Sequence, residues 1–363
     1  MFSEQTFDAL PPCRDFDHTI DLKETFTLKV TKLYLLNPEE LTACRAFVDK
    51  NLKTGRIRPS KSPQASPFFF IKKKDGKLCP VQDYHYLNEH TVKNAYPLPL
   101  VSELINNLCQ FSIFTKFDVW WGYNNIRIKD SDEWKAAFIT PLGLFEPMVM
   151  FFRLCSSPPT FQAFMNFNFA NYIREGWLVI YMDDLAIGAY SSNDLDQKVH
   201  LILQWFRSLG LSLKLSKCKF NKMEVEFLGM IVGCGCIHMD PAKLSAIATW
   251  PLPKTVKAVH ALLGFCNFYC KFISNFSNVV APLTALTRKG AAWTWDTDQQ
   301  SVFSTLLSMF QTAPVLHLPD VNSPFIVMTD ASLLASVGVL MQRDGNGDLH
   351  PCAYLPQTFS PAK

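Results

Sequence analysis

Three aspartates stand where they could hold metal ions for phosphoryl chemistry. Asp183 and Asp184 are adjacent, between the apolar runs 178–182 and 185–189. Because neighbouring carboxylates repel each other, they favour a solvated position unless a cation neutralises them. Carboxylate oxygens are the ligands that Mg²⁺ prefers. Asp118, at the end of its own apolar run, is the best candidate for a third ligand.

Such a cage suits the transfer of a phosphoryl group. One ion would activate an attacking hydroxyl and a second would steady the leaving pyrophosphate, with the two ions ~4 Å apart. An isolated Asp-Asp pair is more often a plain exposed turn. That alternative weakens here because both flanking runs are patterned as buried strands.

The chain around these aspartates is patterned as helices mixed with strands. Two apolar runs joined by two residues predict a hairpin with Asp183 and Asp184 at its tip. A second hairpin is predicted from residues 68–71, through the Asp75-Gly76 turn, to residues 78–81. Apolar spacing predicts further elements. They are helices at 38–53, 160–173, 194–209, 255–273 and 296–310, a helix capped by Asp240 with Pro241 at its first position, and strands at 113–119, 225–232, 325–329 and 337–342.

Composition indicates a globular chain of two to four packed units. Of the 363 residues, 48% are hydrophobic and 18% charged, which excludes a disordered chain. The net charge is only +3, so a basic excess does not itself indicate nucleic acid. Lysines cluster at 72–77 and 214–222, although a solvated face is the simpler interpretation of such clusters.

Cysteine usage and hydropathy bear on where the chain works. The 11 cysteines show no recurrent C-x-x-C pair, so free thiols in a reducing cytoplasm are expected. Neither an N-terminal signal sequence nor an apolar run of membrane-spanning length is evident. A secreted or membrane-spanning protein is therefore not predicted.

Several segments, in order, resemble the reverse transcriptases of gypsy-type LTR retrotransposons over roughly residues 20–363. They are SPFFFIKKKDGKLCPVQDYHYLNEHTVKNAYPLP, FTKFDVWWGYNNIRIKDSDEWKAAFITPLGLFEPMVMFF, SPPTFQAFMN, VIYMDDLAIGA, KCKFNKMEVEFLGMIV and LLGFCNFYCKFI. The resemblance implies an α+β fold, a right-hand polymerase of fingers, palm and thumb followed by a connection and a partial ribonuclease H-like α/β domain. The implied boundaries are an irregular lead-in at 1–25, fingers and palm with the primer-grip hairpin at 26–232, thumb and connection helices at 233–290, and a truncated ribonuclease H-like part at 291–363.

The resemblance also implies roles for single residues. Asp118, Asp183 and Asp184 match the family's catalytic, metal-binding carboxylates. Tyr123 matches the aromatic residue beneath the incoming sugar, whose ring would exclude a 2′-hydroxyl. The other matches are the nucleotide-binding Lys72, Lys74 and Phe152, the primer-positioning Phe227, Leu228, Gly229 and Met230, and Asp330 as the first carboxylate of ribonuclease H. For Tyr123, the lysines, the primer-positioning hairpin and Asp330, an ordinary core or surface position is the alternative.

Five positions depart from the family pattern. Cys79 and His85 stand where arginine is usual, and Trp120 replaces a polar residue. Arg153 replaces a glycine whose missing Cβ lets the backbone approach the nucleotide, so its side chain is expected to obstruct the site. Pro159 is tolerable at the start of a helix. The two lost arginines remove charge for a triphosphate, which favours a degenerating copy with reduced or no activity.

The sequence therefore predicts an RNA-directed DNA polymerase that uses two Mg²⁺ ions, for which Mn²⁺ can substitute. The expected partners are an RNA template, a DNA primer strand, their RNA–DNA hybrid gripped through its backbone and A-form shape, and deoxynucleoside triphosphates, with no membrane. The expected location is cytoplasmic, within retroelement particles, or nuclear. The alternative is a catalytically weak or dead remnant that only binds nucleic acid. Ribonuclease H activity is not expected from a truncated domain, and a DNA-templated polymerase is disfavoured because the resemblance continues through the connection.

Overall fold

The computed structural model describes residues 9–72, 76–312, 315–320, 322–331, 335–343 and 347–358. Within them the chain forms two compact units. The first comprises Met1–Leu104, Thr115–Ile187 and Ser192–Phe220, and the second comprises Ile105–Phe114, Gly188–Ser191 and Asn221–Lys363.

Helices and strands are mixed along the chain. The helices are α1 (Pro38–Lys53), α2 (His85–His90), α3 (Val101–Leu108), α4 (Ser157–Asn168), α5 (Ala170–Arg174), α6 (Ser192–Ser208), α7 (Pro241–Ala248), α8 (Val256–Phe268), α9 (Phe276–Val279), α10 (Ala281–Ala285) and α11 (Thr297–Gln311). The strands are β1 (Ile57–Pro59), β2 (Ser66–Lys72), β3 (Leu78–Gln82), β4 (Ile113–Asp118), β5 (Phe138–Thr140), β6 (Gly143–Pro147), β7 (Leu178–Tyr181), β8 (Asp184–Ala189), β9 (Lys219–Lys222), β10 (Val225–Phe227), β11 (Met230–Gly233), β12 (Cys236–Met239), β13 (Leu316–His317), β14 (Ile326–Ala331), β15 (Ala335–Arg343) and β16 (Leu349–Thr358).

The first unit contains a five-stranded sheet in the order β1-β6-β5-β2-β3. The hairpin predicted at 68–81 is its β2–β3 pair, with Phe68 opposite Gln82 and Lys72 opposite Leu78. Strand β2 also pairs in parallel with β5. The hairpin therefore continues directly from a buried sheet.

Phenylalanines fill the core beside this sheet. Phe68, Phe138, Phe145 and Phe151 are buried in one cluster with Tyr84. The rings of Phe68 and Phe138 stack with centroids 5.9 Å apart. Burial of each such ring stabilises the fold by roughly 1.5–3 kcal/mol. Many of the 30 phenylalanines are thus explained by packing alone.

A second sheet carries the aspartates. Its strand order is β7-β8-β4-β9, and its apolar residues are buried along β4, β7 and β8. Helix α4 packs beside it with Phe161 and Phe164 almost wholly buried. Three buried strands side by side bring distant parts of the sequence to one sheet edge.

The second unit combines two antiparallel sheets with short helices. The sheets are ordered β10-β11-β12-β13 and β14-β15-β16. As predicted, Asp240 caps α7 by accepting a hydrogen bond from the Ala242 N–H. Asp296 caps α11 in a reciprocal capping box with Gln299. Such caps satisfy amide groups that the first helical turn cannot pair.

Two predicted elements are interrupted in the structure. The helix predicted at 160–173 is interrupted at Phe169, which lies between α4 and α5. The strand predicted at 225–232 is a hairpin. Leu228 and Gly229 form its two-residue tip with φ of 49° and 79°, the left-handed pair that closes a tight hairpin.

The helix predicted at 255–273 is shorter than expected. It ends at Phe268, and a 3₁₀ turn follows at Cys270–Phe272. Between them the buried Tyr269 donates its hydroxyl to the Gly229 carbonyl at 3.0 Å. No helix among the described residues is long and apolar enough to cross a membrane.

Gly188 in β8 provides a test of packing in the second unit. A Cβ built there would lie 2.9 Å from the Cβ of the buried Phe111 and closer still to its ring. We predict that Gly188→Ala lowers the free energy of unfolding by about 2 kcal/mol, since overpacking strains a close-packed core.

Gly264 is the matched control. It is exposed within α8, and a Cβ there would meet nothing within 4 Å. Gly264→Ala should stabilise by roughly 0.5–1 kcal/mol because alanine is the better helix former. Denaturant unfolding followed by circular dichroism measures both. Equal effects of the two substitutions would contradict the packing at Gly188.

Candidate active site

Strand β4 delivers Asp118 to the edge of its sheet. Asp118 is the last residue of the strand and is only 9% exposed. The chain leaves β4 alongside residues 212–214, because Val119 bridges Leu213 and the Lys214 N–H donates to the Asp118 carbonyl at 3.0 Å. The backbone that carries this carboxylate is therefore held by pairing with residues 212–214.

The β7–β8 hairpin delivers the other two aspartates, with a register that differs from the prediction. Tyr181 pairs with Asp184, so the two-residue tip is Met182-Asp183 rather than Asp183-Asp184. Met182 adopts the left-handed conformation with φ 53°. The prediction placed the tip one residue too far along, because the apolar pattern does not mark which of the four residues pair.

One backbone hydrogen bond joins the two parts of the site. The Val119 N–H donates to the Asp183 carbonyl at 2.9 Å. Since Val119 follows Asp118, the end of β4 lies directly beside the hairpin tip. The end of β4, with Asp118, therefore lies beside the hairpin that carries Asp183 and Asp184. That the three acids act as one metal-binding set stays a prediction.

Two lysines form ion pairs with two of the three carboxylates. Lys217 Nζ lies 2.7 Å from Asp118 Oδ2, and Lys116 Nζ lies 3.2 Å from Asp184 Oδ1. The side chain of Lys217 is 55% exposed and that of Lys116 only 12%. The hydrogen bond to Asp118 raises the pKa of Lys217. Burial raises the pKa of Asp183, and the nearby Asp184 and Asp118 add to that rise.

The donor set suits a hard divalent cation, since all three acids offer carboxylate oxygens. Within the described ranges, however, no group of three or more acidic, histidine or cysteine side chains is arranged to hold a metal ion. Asp118 and Asp184 instead face the lysine ammonium groups. The ammonium groups of Lys217 and Lys116 thus lie against two of the carboxylates. The carboxylate oxygens have the chemistry that Mg²⁺ prefers in its ligands.

Sequence reasoning missed the residue that fixes the hairpin tip. Gln162 of α4 is wholly buried, and its Oε1 accepts the Met182 N–H at 2.7 Å. Its Nε2 donates to Asn166 Oδ1 at 2.8 Å and to the Ile180 carbonyl at 3.3 Å. A polar residue among the apolar positions of a predicted helix was the only available signal.

Aromatic rings line the side of the site next to the tip. Tyr123 lies in the 3₁₀ turn Gly122–Asn125, and its hydroxyl is 3.5 Å from Met182 Sδ. Its ring makes an edge contact with Phe152, with centroids 5.2 Å apart. Burial, together with Asp183 and Tyr181, raises the pKa of Tyr123 to about 12. The phenol therefore stays protonated at neutral pH.

An open cavity of about 440 Å³ lies beside Tyr123 and Phe152. Its walls come from the β2–β3 hairpin and the segment that leads into α4. The lining residues are Ile71, Lys72, Cys79, Pro80, Val81, Tyr123, Phe152, Arg153, Leu154 and Pro158. Three predicted nucleotide-binding residues, Lys72, Tyr123 and Phe152, therefore share one cavity. Lys74 lies outside the described residues.

The positions that depart from the family pattern have distinct surroundings. Cys79 and Arg153 both line the cavity. The exposed His85 contacts the Asp83 carboxylate. Trp120 is half-buried, and its N–H donates to the Ser212 carbonyl at 2.8 Å. Pro159 lies in the first turn of α4, where proline removes no helical hydrogen bond.

The remaining predicted residues belong to the second unit. Phe227 and Met230 face each other across the β10–β11 hairpin, and Leu228 and Gly229 form its tip. Asp330 lies in β14, paired with Val337 of β15. The predicted elements exist, while their roles remain predictions.

Sequence comparison identifies the class of protein. A family model described as reverse transcriptase (RNA-dependent DNA polymerase) matches residues 71–232. A second, described as an RNase H-like domain found in reverse transcriptase, matches residues 295–363. The chain therefore belongs to the reverse transcriptases, with a ribonuclease H-like domain after the polymerase domain.

Similar proteins of known origin are polyproteins of retrotransposons. The transposon Tf2-3 and Tf2-7 polyproteins of Schizosaccharomyces pombe (strain 972 / ATCC 24843) are each 31% identical over 363 residues, which is 99% of this chain. The chain spans 27% of the length of these polyproteins. The resemblance to gypsy-type LTR retrotransposon reverse transcriptases is confirmed.

Solved structures confirm the fold class. A foamy viral protease-reverse transcriptase in complex with RNA/DNA hybrid matches with a TM-score of 0.81 and 22% identity, over 95% of this chain and 46% of that chain. A form of that protein in complex with double-stranded DNA matches with a TM-score of 0.84 and 22% identity, over 96% and 61%. The α+β polymerase fold followed by a ribonuclease H-like domain is thus established.

The contribution of the Gln162 hydrogen bond to the hairpin tip can be measured as a change in the free energy of unfolding. We predict that Gln162→Leu destabilises the chain by roughly 1–3 kcal/mol, because the Met182 N–H loses its acceptor inside the protein. Asn168→Ala is the control, since Asn168 lies on the same helix and bonds only to the Phe164 carbonyl. Urea unfolding compares the two. A loss no greater than that of the control would show that the tip does not depend on Gln162.

Proposed function

We propose that this chain is an RNA-directed DNA polymerase, which joins a deoxynucleotide to a primer 3′-hydroxyl and releases pyrophosphate. The observation that carries the proposal is the hydrogen bond from Val119 to Asp183, which sets Asp118 beside the hairpin tip. That hairpin carries Asp183 and Asp184, and Tyr123, whose hydroxyl lies 3.5 Å from Met182 Sδ at its tip, lines a cavity of about 440 Å³. Membership of the reverse transcriptase family supports the same chemistry.

Asp118, Asp183 and Asp184 would hold two Mg²⁺ ions, or Mn²⁺ in their place. Bound there, the ions would lower the pKa of the primer hydroxyl and stabilise the charge on the leaving pyrophosphate. Lys217 pairs with Asp118 from an exposed position, so its side chain can move aside. Lys116 is nearly enclosed, with its Nζ 3.2 Å from Asp184 Oδ1.

The cavity beside Tyr123 is proposed to receive the deoxynucleoside triphosphate. Lys72, on its wall, supplies a point charge for phosphate. Tyr123 and Phe152 present a pair of rings in edge contact, against which a sugar can pack. The half-buried ring of Tyr123 would then clash with a 2′-hydroxyl, and this would select deoxynucleotides.

The template and primer are proposed to be an RNA strand and a DNA strand. The foamy viral neighbours were solved in complex with RNA/DNA hybrid and with double-stranded DNA, and their fold supports the same partners here. Such a hybrid is gripped mainly through phosphates and A-form shape. The tip Phe227, Leu228, Gly229 and Met230 would position the primer end, and retroelement particles are the proposed setting.

The proposed domains keep the boundaries 1–25, 26–232, 233–290 and 291–363. Asp330 in β14 is the proposed first carboxylate of the ribonuclease H-like part, whose family model begins at residue 295. Compact packing divides the chain differently, since residues 105–114 and 188–191 associate with the second unit. A functional boundary and a packing boundary need not coincide.

A second candidate function is a remnant that binds nucleic acid without extending it. The observation that favours it is Arg153, which lines the cavity with a left-handed backbone, φ 76°. Binding of an RNA–DNA hybrid without incorporation would support the remnant. Incorporation at a rate that depends on metal would exclude it.

The carboxylates are tested by primer extension on poly(rA)/oligo(dT). We predict that Asp183→Asn and Asp118→Asn each lower incorporation on the order of 10³-fold with Mg²⁺ or Mn²⁺, because an amide cannot replace a charged metal ligand. Asp196→Asn, on the exposed side of α6, should leave the rate unchanged. Full activity of Asp183→Asn would rule out the proposed mechanism.

Tyr123 is tested by sugar selection. Tyr123→Ala should raise incorporation of ribonucleotides relative to deoxynucleotides by at least about tenfold, since removal of a ring opens space for the 2′-hydroxyl. Tyr123→Phe is the control, because it keeps the ring and loses only the hydroxyl contact to Met182. The ratio of kcat/KM values for dTTP and UTP reports the effect. Unchanged selection in Tyr123→Ala would assign the sugar contact to another residue.

A further inference from the structure

The charge on the walls of the nucleotide cavity is entirely positive. Lys72 comes from the end of β2, and Arg153 comes from the segment before α4. The described lining residues include no acidic side chain. A concave surface with two cations and no carboxylate favours a polyanion.

The backbone of Arg153 is fixed from both sides. Asn88 donates its Nδ2 to the Arg153 carbonyl at 2.7 Å, and Asn88 Oδ1 accepts the Cys155 N–H at 2.8 Å. These bonds hold Arg153 in the left-handed region, which costs an arginine about 1–2 kcal/mol relative to the right-handed one. The loop therefore keeps a strained geometry that leaves the Arg153 side chain on the cavity wall.

The guanidinium of Arg153 is available to a ligand. The side chain is exposed, and among the described residues no carboxylate forms an ion pair with it. Guanidinium groups bind phosphate oxygens through two parallel hydrogen bonds. Cys79, in β3 and on the lining of the same cavity, offers no fixed positive charge.

We propose that Arg153, together with Lys72, binds the triphosphate of the incoming nucleotide. The proposal rests on the polymerase function above and names the residue that supplies charge where Cys79 does not. It reverses the expectation that Arg153 obstructs the cavity. Relative to the family pattern, the positive charge that is missing at Cys79 is supplied by Arg153. The cavity therefore still binds phosphate.

Nucleotide binding without turnover tests the proposal. The full chain, bound to an RNA–DNA primer–template, is titrated calorimetrically with α,β-imido-dTTP, whose imido bridge blocks incorporation. Arg153→Gln should raise the Kd at least about tenfold, and Arg153→Lys should raise it less, because lysine keeps the charge without the fork. Arg174→Gln, at the exposed end of α5, should change nothing.

Two further variants distinguish an Arg153 side chain that binds the triphosphate from one that blocks the cavity. Arg153→Gly removes the strain together with the charge, so it should gain stability and still bind the analogue weakly. Cys79→Arg added to Arg153→Gln should recover part of the lost affinity, since both side chains line one cavity. Tighter binding by Arg153→Gly, or no recovery in the double variant, would overturn the proposal.

A probe without a base distinguishes this proposal from the polymerase assignment. Inorganic tripolyphosphate should bind the unmodified chain and lose affinity in Arg153→Gln. If tripolyphosphate binds the unmodified chain, loses affinity in Arg153→Gln, and primer extension nevertheless fails, the phosphate site is supported and the polymerase function is refuted. If extension proceeds with the same KM for dTTP in Arg153→Gln, the phosphate role of Arg153 is refuted and the polymerase function stands.

Discussion

Three carboxylates at one sheet edge repel one another. Backbone pairing and nearby lysines offset that repulsion. Strands β4 and β8 are neighbours in one sheet, and the hydrogen bond from Val119 to Asp183 extends their pairing to the hairpin tip. Lys217 and Lys116 supply opposing charge. Their exposures differ: the enclosed Lys116 pairs with Asp184, whereas the half-exposed Lys217 pairs with Asp118.

Strain accompanies this arrangement. Trp121, Met182 and Arg153 all have positive φ without being glycine, at about 1–2 kcal/mol each. For two of them specific side chains hold the conformation: Gln162 accepts the Met182 N–H, and Asn88 binds the carbonyl of Arg153. The buried sheet and its phenylalanine core provide the stability that offsets this strain.

The sequence predicted the elements better than their junctions. Apolar periodicity located α1 at residues 38–53, the β2–β3 hairpin and the strand ending near Asp118, because burial leaves a local pattern. It did not predict the pairing of Tyr181 with Asp184 or the role of Gln162, since both depend on hydrogen bonds to residues that the pattern does not mark. Nor could it distinguish an obstructive arginine from a ligand-binding one, because that difference lies in the walls of a cavity.

The two-residue loop of the β7–β8 hairpin limits how this region can evolve. Successive strand residues point to opposite faces, and the loop contains only Met182 and Asp183 between paired neighbours. A codon inserted or deleted between residues 181 and 184 would shift the register and turn a carboxylate away from Asp118. Point substitution at 182 leaves the count intact, so copies of the element can vary in side chain at that position but not in length.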